Sequence, residues 1–96
     1  MDSYPVILRE VVESAEFEAA RDSLGNVERL DEVLRAVYWA VSKNPEAYEV
    51  VPGLADVRLL KTDPLGGLPG FRIWFRLLGP AGPVELLLIE AFTPQE

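Results

Sequence analysis

From Val57 to Phe92 the sequence breaks into three short apolar segments separated by glycine and proline. They read VRLLKT (Val57–Thr62), FRIWFRLL (Phe71–Leu78) and VELLLIEAF (Val84–Phe92). Apolar and aromatic runs of this length, bounded by turn residues, predict strands. The intervening DPLGGLPG (Asp63–Gly70) is too long for a two-residue hairpin, and GPAGP (Gly79–Pro83) forms a second turn. Three consecutive strands with short connections predict an antiparallel meander. The last segment is apolar on both parities between Glu85 and Glu90, which predicts a central strand.

The residues before the meander carry a different periodicity. Tyr4–Val12 (YPVILREVV) predicts a first strand, with Pro5 suited to its start or to an edge. Ser14 is placed to cap a short helix whose first turn holds Glu16 and Glu18, favoured there by the helix dipole. Phe17, Ala20, Arg21 and Leu24 recur at three and four, and Gly25 follows the end. Asn26 can cap a second helix with a stripe of Val27, Leu30, Leu34, Val37 and Val41, stopped by Asn44-Pro45. Tyr38 and Trp39 are expected to pack. The expected fold class is therefore α+β. Two N-terminal helices lie on one face of a mainly antiparallel four-stranded sheet, in the order β-α-α-β-β-β.

At 96 residues and 49% hydrophobic composition, one domain over 1–96 with a single core is expected. Met1–Pro5 has no basic region leading into an apolar stretch, and no apolar run approaches membrane-spanning length. A cytoplasmic protein without membrane partners is expected. The chain has no cysteine and no histidine. Disulfides, thiolate–zinc sites and the Ser-His-Asp or Cys-His arrangements are thus excluded, leaving carboxylates, Lys, Tyr or water for any proton transfer. Glu10, Glu13, Glu16, Asp31 and Glu32 show no metal-ligand spacing, and the glycines of Leu65–Gly70 lack the Gly-Lys-Ser/Thr of a phosphate loop. No metal and no cofactor is expected.

Net charge is −7, against general attraction to nucleic acid. The charge is uneven, however: Val57–Leu78 holds four basic residues, Arg58, Lys61, Arg72 and Arg76, and one acidic residue, Asp63. Side chains alternate across a strand, so Arg72, Trp74 and Arg76 share one face, and Phe71, Ile73, Phe75 and Leu77 share the other, toward the helices. Arg58 is expected beside the arginine row. Strict alternation puts Lys61 on the opposite face unless the strand bulges. The arrangement suits a phosphodiester backbone with Trp74 stacking on a base. Such alternation is common in antiparallel sheets, so the pattern by itself favours solvated arginines, able to pair across strands with Glu85 or Glu90.

The segment Lys43–Phe92 resembles the RelE/ParE superfamily of toxins from bacterial type II toxin–antitoxin pairs, especially its RelE/HigB-like branch. The resemblance rests on a helix ending in Asn44-Pro45-Glu46-Ala47, then Glu49-Val50-Val51-Pro52-Gly53, the basic strand Val57-Arg58-Leu59-Leu60-Lys61, and Gly70-Phe71-Arg72-Ile73-Trp74-Phe75-Arg76 after a glycine-rich loop. It implies an endoribonuclease acting on mRNA at the ribosome and held by a cognate antitoxin. Arg58, Lys61 and Arg72 match its basic positions, with Arg76 a looser match, and such cations would stabilise transition-state charge. The branch often ends its last strand with tyrosine or histidine and then lysine, where this chain has Phe92 and Pro94. ParE-like members share the fold but target gyrase, so a gyrase-binding or catalytically inactive protein is the alternative the resemblance leaves open.

Overall fold

The computed structural model describes residues 8–92 apart from 26, 28, 55, 65–68 and 81. Among them the chain forms β1 (Val11–Glu13), α1 (Ala15–Ser23), α2 (Leu30–Lys43), a 3₁₀ turn (Pro45–Ala47), β2 (Glu49–Val50), β3 (Val57–Thr62), β4 (Gly70–Leu77) and β5 (Val84–Phe92). The sheet has five strands in the order β1-β5-β4-β3-β2. The α+β class and the β3-β4-β5 meander agree with the sequence reading.

Two expectations about the sheet are corrected. It has five strands rather than four, because Glu49–Val50 adds a short edge strand antiparallel to β3. Two residues are too few to carry a period, so the sequence gives no signal for it. The sheet is also mixed, since β1 runs parallel to β5. A strand followed by two helices before it rejoins the sheet has room for the crossover that parallel pairing requires. The first strand is three residues long; the expected Tyr4–Val12 strand falls partly outside the described residues.

Ser14 caps α1 as expected, its Oγ accepting from the Phe17 N–H at 3.1 Å. The α2 stripe also holds: Leu30, Leu34, Val37 and Val41 are buried. Its start differs. The expected cap Asn26 lies outside the described residues, and the helix begins after Arg29, a non-glycine residue at φ 63°. Burial of Phe17, Phe71, Ile73, Phe75, Val84 and Leu86 places the core between the helices and one sheet face. Each such side chain contributes about 1.5–3 kcal/mol. Tyr38 packs against this core, but Trp39 does not: it is 56% exposed on the outer side of α2, with the Lys43 Nζ 5.9 Å from its ring.

β5 is an interior strand, as its composition predicts, but its double-sided apolar pattern has a second cause. Phe75 lies opposite Leu86 while Trp74 lies opposite Leu88, so Leu87 is an extra residue. The bulge switches parity: Val84 and Leu86 face the core before it and Ile89 after it. Glu85, Leu88, Glu90 and Phe92 therefore all line up with the outward residues of β4.

Candidate functional site

The sheet face turned away from the helices is built in cross-strand rows, since directly opposed residues share a face. One row is Lys61, Arg72 and Glu90 from β3, β4 and β5. The next is Glu49, Leu59, Trp74 and Leu88. The third is Val57, Arg76 and Glu85. Leu59, half-buried Trp74 and Leu88 thus form an apolar bar between two charged rows, with Glu49 at its β2 end.

Register decides which β3 cation joins this face, and it reverses the sequence expectation. Lys61 lies opposite Arg72, whereas Arg58 lies opposite the fully buried Phe75 and so belongs to the helix side. The strand does not bulge at Lys61; β3 simply sits one residue out of phase with the assumed alignment. Arg58 has a different task. Its Nη1 donates to the carbonyls of Tyr48 at 2.6 Å and Glu46 at 3.3 Å. That ties the 3₁₀ turn to β3 and holds the Tyr48 ring edge-on to Phe75, 5.9 Å between centroids. Of the expected site residues, Lys61, Arg72, Trp74 and Arg76 come together, and Arg58 does not.

Both arginines carry a carboxylate partner, the cross-strand pairing that the sequence allows. Arg72 Nη1 donates to Glu90 Oε1 at 2.8 Å, and Arg76 Nε to Glu85 Oε1 at 2.7 Å. With Glu49, the face holds three carboxylates against three cations. Lys61 is exposed and forms no ion pair among the described residues. It stands directly across from a second cation, an arrangement that costs a sheet stability.

Phe92 is a member of the site that the arginine pattern alone misses. Its ring lies 4.3 Å from the Arg72 guanidinium carbon, a cation–π contact. Gly70 provides its seat: a Cβ there would lie 2.5 Å from Phe92 Cζ and 2.7 Å from the Thr62 carbonyl oxygen. Glu90 therefore holds the edge of Arg72 and Phe92 covers one of its faces. The signal was present in the spacing, because Leu88, Glu90 and Phe92 share one parity. On the helix side, a cavity of about 380 Å³ opens between α2 and the end of β3, lined by Val33, Val37, Ala40, Tyr48 and Leu60, with Lys61 among the residues at its wall.

No protein-family model matches the sequence, and no curated protein matches it significantly. Among solved structures, an arginine-to-alanine double variant of the E. coli toxin RelE in the free state is similar, with a TM-score of 0.63 and 16% identity. The match covers 88% of this chain and 83% of that one. At that identity the likeness is one of architecture: the chain has a fold like that of RelE.

Proposed function

We propose that this chain is the toxin of a type II toxin–antitoxin pair, a single domain over 1–96 that cleaves mRNA on the ribosome in the cytoplasm. The observation that carries the reading is the opposition of Lys61 and Arg72 on an open sheet face. Two cations facing each other in a ladder are unfavourable until an anion lies between them, and a phosphodiester meets that need. Trp74, one pleat along, offers a stacking surface for a base. The RelE-like fold supports the same reading. The apolar cavity beside α2 offers a groove for an antitoxin segment, and Lys61 at its wall would bring such a segment to the end of the Arg72 row.

Induced expression should arrest growth and fragment translated mRNA, and Arg72→Ala should lower cleavage in a purified translation reaction by about 10²–10³-fold, the scale of losing one oxyanion donor. Intact mRNA under the wild-type protein would refute the nuclease reading. A second reading, a ParE-like or catalytically inactive binding protein, is favoured by Phe92, which has no transferable proton at the end of β5. Growth arrest with intact mRNA, or with DNA damage, is its signature.

A further inference from the structure

Among the described residues, the open face offers few groups able to take or give a proton. The chain has no histidine or cysteine. Tyr48 is turned toward Phe75 in the core, and Tyr38 packs there too. What remains on the face is Glu49, Lys61, Glu85 and Glu90. Only Lys61 and Glu90 stand in the row of Arg72, one on either side of it. Glu90 uses Oε1 for Arg72 and has no hydrogen bond at Oε2 among the described residues. Its side chain is 49% exposed, open to a ligand.

The geometry points to Glu90 as the catalytic proton acceptor of this site, an inference that rests on the nuclease reading above. A phosphodiester held between Lys61 and Arg72 brings the ribose of the preceding nucleotide toward β5. Glu90 Oε2 takes the proton of its 2′-hydroxyl. O2′ then bonds to phosphorus, and the bond from phosphorus to the 5′-oxygen breaks. Arg72 and Lys61 stabilise the charge on the phosphoryl oxygens. The leaving 5′-oxygen receives a proton from the Lys61 ammonium, and solvent restores both groups. The products are a 2′,3′-cyclic phosphate and a 5′-hydroxyl, with no water consumed and no oxidant required.

Glu90→Gln separates this role from simple orientation of Arg72, because the amide oxygen still accepts from the guanidinium but is not a base. In a translation reaction with the full chain, Glu90→Gln should cut cleavage by about 10²–10⁴-fold, the usual contribution of general acid–base catalysis. Binding of an RNA oligonucleotide with 2′-O-methyl riboses should persist or tighten, and Glu90→Asp should recover part of the rate. Wild-type product ends should be cyclic phosphates. Wild-type cleavage with Glu90→Gln within threefold of it, or with linear 3′-phosphate ends formed directly, overturns the role of Glu90 and leaves the nuclease reading standing. No cleavage by the wild type overturns both. Thermal unfolding of each variant shows whether a loss of rate is a loss of fold.

Discussion

Arg58 and Lys61 are three residues apart on one strand, and the ladder gives them opposite fates. Arg58 saturates two carbonyls on the helix side; Lys61 faces Arg72 on the open side. Their substitutions should therefore separate stability from function. Arg58→Ala leaves two carbonyls without their charged donor and should destabilise the fold by about 1–3 kcal/mol. Lys61→Ala removes a like-charge opposition and should leave stability unchanged or raise it by up to about 1 kcal/mol. Urea denaturation midpoints check both, and a lower midpoint for Lys61→Ala would mean that the Lys61–Arg72 contact is not strained. In the translation reaction the order should invert, with Lys61→Ala the more damaging. This assignment was out of reach of the sequence. Alternation within β4 correctly grouped Arg72, Trp74 and Arg76, because the period of a single strand is local. The phase of β3 against β4 is set through the Asp63–Gly70 connection, whose length does not specify a register, and a slip of one residue exchanges every face.

At the scale of elements, the seam between β4 and β5 joins the fold to the site. Its bulge at Leu87 lets an interior strand feed the core at Val84, Leu86 and Ile89 and still present Glu85, Glu90 and Phe92 outward. The apolar run was legible as a strand, but the parity switch was not, since an unbroken leucine stretch reads the same in either phase. The helices were legible for the same reason as β4: Ser14 and the α2 stripe act within a few residues of themselves. Where the seam closes, Gly70 sits beneath the Phe92 ring and beside the Thr62 carbonyl. The ring can swing, but the carbonyl belongs to the β3 backbone. Gly70→Ala should thus cost about 1–3 kcal/mol by overpacking. In a domain of this size that lowers the melting temperature by roughly 4–8 °C per kcal/mol. An unchanged melting temperature would show that the end of the sheet relaxes at no cost. The displaced ring would also uncover Arg72, so weaker cleavage should accompany the loss of stability.

Over the whole molecule, the site lies on one side and much of the negative charge on the other. The protein measures 44 × 36 × 26 Å, and exposed Glu16, Glu18, Asp22 and Asp31 belong to the helix layer, behind the sheet as seen from the cations. The open face is balanced in charge, so the net charge of −7 acts on an approaching RNA from a distance. Its reach depends on salt. The Debye length is about 30 Å at 0.01 M ionic strength, longer than the short axis of the protein, and about 10 Å at 0.1 M. At the lowest salt the helix-layer carboxylates therefore repel RNA together with the local attraction; near 0.1 M they are screened while Lys61, Arg72 and Arg76 still act at contact range. Above that, counterion competition weakens the local contacts, with a slope of about −0.7 per neutralised phosphate for a single strand. Affinity for a 2′-O-methyl oligonucleotide should accordingly pass through a maximum at intermediate ionic strength. Replacing Glu16, Glu18 and Asp22 by their amides should remove the low-salt suppression and leave the high-salt limb unchanged, because none of the three lies on the binding face. Titrations by fluorescence anisotropy across roughly 0.01–0.5 M salt, over which the Debye length falls from about 30 Å to below about 8 Å, give the curve. A monotonic fall from the lowest salt would mean that the cations of the open face outweigh the distant charge at every ionic strength, and the amide variant would then match the wild type throughout.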